Sequence, residues 1–525
     1  MSPDCVVGID IGTTSVRVTI YDADGNLITE GRVPNILSHP HPGWAEQDAE
    51  DWWLGVCAAS QDAMQQFPYG RDSIKGIAIT SMRQTFVCLG KDHQPLRPAI
   101  LWYDTRHAAQ VDWVRQNLGS RRVYEQTGSP PGRRAVYKAM WLKQNEPECY
   151  AETAHIAFIP DFILSRLTGK LATTPGVSYA SGCLSAANPF EWATDFLQDC
   201  SLDPEKWITP ILPPGTIAGQ IQRQAADKTG FPEGTPVVMA SGDQACGNLG
   251  SGVCQPGMLG INGGTSCALQ TPSSKLPIDE AMSFFVDYSP AGYYVAENGI
   301  TSGTAALTEW FRDGFGYPEV AASTDEESLW KMLYNLAKEA PPGNLGLMLV
   351  PYLRGVNGPL WNPRARGVLL GLMADHDRRH LMRALFEGLA YESRRILESM
   401  EAGTAVPIHS VRTYGGASQS DVWNQIFADI LGRPVTVTHN PAPVSLGAAI
   451  SAGYGVGLYP NPVSAAERMV KIRKTYYPDQ NTIGLYDQLY RDVYVNIYSR
   501  LSDLTDALSI ITTHTEGAVE VEPVG

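Results

Sequence analysis

At 525 residues the chain exceeds what one ordinary core accommodates, so two large domains are expected. Its 43% hydrophobic and 18% charged residues are those of a soluble globular protein, and a net charge of −15 argues against nucleic acid as its main partner. The nine scattered cysteines form no C-x-x-C pair, and neither a signal peptide nor a membrane-length apolar run is evident; a reducing, cytoplasmic setting away from the membrane is expected.

In chain order, residues 5–33 read as a strand meander. Gly8-Ile9-Asp10-Ile11-Gly12-Thr13-Thr14-Ser15 is an apolar strand entering a turn of glycine and small hydroxyl residues, and Asp24-Gly25 marks a hairpin. His39 to Trp44 is a stiff loop whose two histidines lack other ligand types at metal-binding spacing. Asp48 or Asp51 caps a helix carrying Trp52, Val56, Ala59 and Met64. A strand over 74–80 ends in Ser81-Met82-Arg83-Gln84, at the strand end where an open α/β sheet binds ligands. A second strand end, Pro98 to Arg106, delivers Asp104, which reads both as the N-cap of a following helix and as a ligand contact. Short helices and loops then alternate over 150–230. The strand over 235–240 runs into Ser241-Gly242-Asp243-Gln244, whose small residues let the acid point into a cleft.

The first turn then returns. Gly260-Ile261-Asn262-Gly263-Gly264-Thr265-Ser266 repeats it at an offset of 252 residues. Glycine lets a backbone approach a ligand and reach φ above zero, and successive N–H groups form an anion-binding concavity. Two such turns facing each other suit a polyphosphate. Asp10 stands in one copy and Asn262 in the other; a carboxylate beside phosphates needs a cation between them, most naturally Mg²⁺ with its waters. With an acidic chain, local donors and metal must attract such a ligand, since the overall field does not.

Downstream, small residues at Thr301-Ser302-Gly303-Thr304 feed a helix. Residues 378–400 form an amphipathic helix with Leu381, Leu385, Leu389, Ile396 and Met400 near one face, and Gly388 implies close packing. A strand at 411–414, the Gly415-Gly416 turn and a helix capped by Ser418 or Ser420 make a nucleotide-binding arrangement. Ser445 to Ile450 is a tightly packed helix of small residues, and the polar, acidic stretch 511–525 is expected to be disordered.

These motifs, in this order, resemble the FGGY carbohydrate kinases over nearly the whole chain: Gly-Ile-Asp-Ile-Gly-Thr-Thr-Ser at 8–15, Trp-Tyr-Asp-Thr-Arg at 102–106, Ser-Gly-Asp-Gln at 241–244, Gly-Gly-Thr-Ser at 263–266 and Tyr-Gly-Gly-Ala-Ser-Gln-Ser at 414–420. The resemblance implies an α/β fold of two actin-like, ribonuclease-H-like domains, 1–253 and 254–510, with a catalytic cleft between them. It implies ATP and Mg²⁺, with Asp243 as general base and Asp10 holding the metal's waters. Thr13, Thr14, Gly264 and Thr265 would contact the phosphates with Arg17 nearby, Gly12 and Gly303 would also bind the cofactor, and Gly415, Gly416 and Ser420 would lie at the adenosine. Met82, Arg83, Gln84, Asp104, Asp243 and Gln244 would line the substrate pocket. Assembly as a homodimer stays open.

The substrate implied is a small sugar or polyol. The adenosine segment and Leu96 to Trp102 are similar to the xylulokinase branch, which points to a ketopentose. That branch usually carries Gln-Met-His-Gly where this chain has Ser-Met-Arg-Gln, and Asp-Asn where it has Asp243-Gln244. Arg83 and Gln244 are closer to glycerol kinases and the Ser-Met-Arg start to autoinducer-2 kinases, so glycerol, a tetritol and autoinducer-2 are alternatives. Arginine in place of histidine favours an extra oxygen or a carboxylate on the substrate. From other classes, an actin-like conformational ATPase would share the turns but needs no polar pocket at Arg83, Asp104 and Gln244, and a silent sugar-binding relative would not need both Asp10 and Asp243.

Overall fold

The computed structural model describes residues 2–264 and 266–515. Thr265, expected at the phosphates, lies outside the described residues, as do residues 516–525 of the expected tail. The preceding stretch is helical, in a helix Val495–Thr515.

The chain splits into two units. The first comprises Met1–Pro256, Thr271–Ala296 and His439–Lys471, the second Gly257–Gln270, Glu297–Thr438 and Ile472–Gly525. In the first unit, β1 (Cys5–Ile11), β2 (Ser15–Asp22), β3 (Leu27–Pro34), β4 (Ile74–Ser81), β5 (Ile217–Gln220) and β6 (Pro236–Met239) form one sheet in the order β3-β2-β1-β4-β6-β5. The central strands β1, β4 and β6 run parallel, and β2 and β5 pair antiparallel beside them. Cys5 to Ile9 and Ile11 of β1 are buried, which is why the strand reads as an apolar run that only the half-buried Asp10 interrupts. The helix Ala49–Gln65 is capped by Asp48, which accepts from Glu50 N; Gly31 admits it, since a Cβ there would stand 2.0 Å from Ala59 O.

The second unit repeats the plan. β7 (Met258–Gly263) pairs antiparallel with β8 (Cys267–Ser273) and parallel with β9 (Ser410–Tyr414); β9 pairs parallel with β10 (Val435–Thr438), and β10 antiparallel with β11 (Ile472–Tyr476). The repeat at offset 252 is thus an antiparallel hairpin beside a parallel strand in both units. The amphipathic helix runs Arg378–Thr404 and buries Leu385, Leu389, Ile396 and Met400. Its Gly388 lies against a neighbouring backbone: a Cβ would sit 2.2 Å from Leu349 O.

The division differs from a single cut after residue 253, because the small-residue helix Pro443–Gly455 belongs with the first unit. It packs backbone to backbone on β1 and on the helix Asp243–Gly250. Added Cβ atoms would stand 2.0 Å from Ser445 O at Gly8, 1.9 Å from Pro443 O at Gly250, and 1.8 Å from Cys246 O at Gly447. Only glycine permits that approach, and the resulting contact outweighs sequence proximity.

Candidate active site

In the first unit the candidate residues gather at the carboxyl ends of the three parallel strands. Asp10 is in β1 and registers with Thr80 of β4; Met82, Arg83 and Gln84 follow β4; Asp243 follows β6 and opens the helix Asp243–Gly250 behind Gly242 at the N-cap. This is where a parallel α/β sheet leaves strand ends and helix N-termini for a ligand.

The first turn is held from several sides. Met82 N donates to Ile11 O at 2.9 Å, Asn35 Nδ2 to Gly12 O at 2.8 Å, and Gln47 Nε2 to Thr13 O at 2.9 Å. Thr13 Oγ1 accepts from Trp102 Nε1 at 3.0 Å and donates to Met82 Sδ at 3.4 Å. Thr14 remains exposed. Among positive-φ glycines Gly12 is absent, so its turn needs no left-handed backbone, contrary to the general expectation for such turns. Arg17 lies opposite Asp10 in the hairpin and pairs with Glu30 at 3.5 Å.

Burial, and then the negative charge of Asp243, raise the Asp10 carboxyl to about 7, while Arg17 and Arg32 pull the other way. Two carboxylates at one strand-end site are the setting that a cation relieves. Among the described residues no group of three or more His, Cys, Asp or Glu is placed to hold a metal ion.

Arg83, at the end of β4, is held from both sides. It is 9% exposed, with Nη1 2.6 Å from Asp287 Oδ2 and Nε 3.3 Å from Asp243 Oδ1. Its stem lies on Gly242, where a Cβ would come within 2.3 Å of Arg83 Cδ. Asp243 keeps 26% side-chain exposure, and its Oδ1 accepts from Gln244 N at 2.8 Å; Gln244 Nε2 reaches Oδ2 at 3.4 Å.

Gln84 takes a left-handed backbone, φ 64, at the corner where the chain leaves β4 for the strand Phe86–Leu89 of a second, four-stranded sheet. A non-glycine residue there costs on the order of 1–2 kcal/mol. The fully buried Lys138 offsets this by donating to Gln84 O at 2.9 Å and Leu101 O at 2.6 Å. With its amide oriented to satisfy both neighbours, Gln84 donates to Arg133 O at 2.8 Å and accepts from Arg134 Nη1 at 2.6 Å.

Asp104 departs from both of its expected roles. The following helix runs Ala108–Asn117 behind His107, so Asp104 does not cap it. Its carboxylate is wholly buried and accepts from Ala45 N at 2.7 Å, Arg106 N at 2.9 Å and the Arg106 guanidinium at 2.8–3.0 Å. Burial works to raise its pKa, but these donors outweigh it and hold it below the usual carboxylate range. Arg106 in turn stacks 3.7 Å over the Trp44 ring and pairs with Glu46 at 2.8 Å. Asp104 braces the loop that carries Trp102; it presents no oxygen to a substrate.

In the second unit a cavity of about 1370 Å³ is lined by Gly263, Gly264, Gly416, Ala417, Gln419 and Ser420, with Trp330, Tyr334, Lys338 and Arg473 among the remaining walls. Gly415 is left-handed, φ 85, and a Cβ there would meet Asn262 Oδ1 at 2.7 Å, so the glycine brings the two turns together. Ser420, of the two serines expected as caps, is the one that accepts from Trp423 N, opening the helix Asp421–Leu431 beside the cavity. Arg473 fixes the turn through Gln419 Oε1 at 2.8 Å and Ser418 O at 3.1 Å. Gly303 caps the helix Thr304–Phe315 and packs on the β7–β8 turn, a Cβ there lying 2.5 Å from Cys267 N.

Sequence reasoning missed Asp287, Gln47 and Lys138. Trp102 was within reach, two residues before Asp104 in the Trp-Tyr-Asp-Thr-Arg motif; Asp287 carries no local signal, since only folding sets it against Arg83.

The chain as a whole is similar to known proteins. The N-terminal domain model of the FGGY family of carbohydrate kinases matches residues 5–250 and the C-terminal one residues 259–456. The chain is 29% identical to a xylulose kinase of Bacillus subtilis over 96% of this chain and 98% of that one. It is 26% identical to a gluconokinase of the same organism (86% and 88% covered) and 28% to an autoinducer-2 kinase of Escherichia coli (95% of each). Its fold superposes on the xylulose kinase from Rhodospirillum rubrum with a TM-score of 0.85 at 27% identity, over 95% of this chain and 99% of that one. Among the described residues no helix is long and apolar enough to cross a membrane. The chain belongs to the FGGY family of carbohydrate kinases, phosphotransferases that use ATP and act on sugar hydroxyl groups.

Proposed function

We propose that the chain transfers the γ-phosphate of ATP to a primary hydroxyl of a small sugar or polyol, with a ketopentose such as xylulose as first candidate and Asp243 as general base. The observation that carries this is Asp243 itself: an acid that keeps 26% side-chain exposure beyond the end of β6, at the first position of a helix, beside the pocket arginine. Phosphoryl transfer asks for positioning and charge neutralisation more than covalent chemistry. Met82, Arg83 and Gln244 orient the sugar, and Asp243 accepts the proton of its hydroxyl. Thr13 and Thr14 in the first unit, and the Gly263-Gly264 turn and Gly303 in the second, bind phosphate; Gly415, Gly416 and Ser420 receive the adenosine. Asp10 is the residue that would hold Mg²⁺, which when bound would supply positive charge to the phosphates.

ADP release measured against pentuloses, glycerol, tetritols and autoinducer-2 tests the reading. Turnover should depend on the sugar and fall about 10²–10⁴-fold in Asp243→Asn. Sugar-independent hydrolysis, or an Asp243→Asn protein with full sugar-dependent turnover, would overturn it.

A further inference from the structure

Resting on the phosphotransfer reading, the substrate can be narrowed by charge. We propose that Asp287 is the residue that sets substrate charge: by holding Arg83 it commits the pocket to an uncharged polyhydroxylated substrate and turns sugar acids away.

An arginine at a strand end, taken alone, suggests a carboxylate ligand. Here one guanidinium stands against two carboxylates, with Nη1 at 2.6 Å from Asp287 and Nε at 3.3 Å from Asp243. The stem cannot swing freely, because it is wedged over Gly242, whose other neighbour is Gly176 O. Asp287 is itself fixed. It is 1% exposed, its Oδ1 accepts from Tyr288 N at 2.8 Å, and Tyr288 O accepts from Ser241 Oγ at 3.0 Å. The charge of Arg83 is therefore already answered inside the protein by two carboxylates. Bringing in a substrate carboxylate would set a third anion against the Arg83 guanidinium and displace an existing pair, which is unfavourable. A sugar hydroxyl meets no such penalty and can both donate to Asp243 and accept from the arginine. Among the relatives, the cluster suits the xylulose-type substrate and not the gluconate-type one.

The test compares kcat/KM for the best neutral ketose or polyol with that for gluconate and shorter aldonates, in the parent and in Asp287→Asn. The parent should favour the neutral substrate by at least about tenfold. Asp287→Asn should shift the ratio toward the acids by about tenfold, the effect of one unit charge several ångströms away in a partly solvated site. A purely structural role would depress both substrates alike and leave the ratio unmoved, which would refute the proposal, as would a parent that prefers an aldonate. Should Asp287→Asn not fold, Asp287→Glu keeps the charge and must keep the parent's ratio. If neither class is turned over, the phosphotransfer reading has failed; calorimetric binding of the same compounds to the parent then decides this one separately, and tighter binding of the acid sinks it.

Discussion

Gly242→Ala offers a clean way to move Arg83 without touching its charge. Gly242 has φ −69 and ψ 164, ordinary extended backbone that alanine adopts without strain. The new Cβ would lie 2.3 Å from Arg83 Cδ and 2.5 Å from Cγ, against an ordinary contact of 3.4–4 Å, with Gly176 O 3.1 Å away on the other side. The arginine must shift by about 1 Å, enough to break a charge-assisted bond now 2.6 Å long. Such a bond contributes ~1.5–3 kcal/mol, which corresponds to roughly 10–150-fold, and a 1 Å misplacement in an active site independently costs about 10²-fold. Initial rates of ADP release at saturating ATP should therefore show kcat/KM lowered about 10–100-fold, with cooperative urea unfolding retained. A double-mutant cycle with Arg83→Met separates this from a direct effect on neighbouring Asp243: if the alanine acts through the arginine, its effect shrinks in the Met background. Parental kcat/KM in Gly242→Ala would show that the position of Arg83 is immaterial and would remove the ground for its role in the pocket.

Two further outcomes follow. Asp10 is raised from 3.8 to about 7, so between those values the folded state keeps a proton that the unfolded chain has lost, and its contribution to stability fades as pH rises toward 7. Asp10→Asn should accordingly melt higher than the parent at pH 8 and close to it at pH 4, without metal or nucleotide, while losing activity; equal melting at pH 8 would contradict the burial and charge argument. Asp104→Asn should cost ~3–5 kcal/mol in urea unfolding, because it strips one partner from a buried ion pair. A fully stable Asp104→Asn protein with a selectively raised KM for sugar would return Asp104 to the pocket.

The parts of the site that could be read locally share one property: each is a short run whose residue types suffice to suggest its geometry. The Gly12-Thr13-Thr14 turn, Ser-Gly before Asp243, and Gly415-Gly416 before a Ser-capped helix all place backbone and side chain within a few residues of one another. Asp104 was misread because its motif is equally consistent with a cap, a ligand or a brace. The choice depends on Ala45 N, on Arg106 folding back, and on Trp44 beneath it. The left-handed backbone of Gln84 was not legible for a similar reason: it answers a corner between two sheets and a lysine 54 residues away.

From its order of residues alone, this chain determined the paired hairpins, the parallel strands beside them and the identity of the acids at their ends, since apolar runs, glycine turns and capping residues act over short range. What only tertiary structure decided was which charges meet: that Asp287 claims Arg83, that Arg106 consumes Asp104, and that the helix Pro443–Gly455 closes on β1 through glycines far apart in sequence. Ion pairs and backbone contacts of this kind depend on distance in space, and no local pattern carries that information.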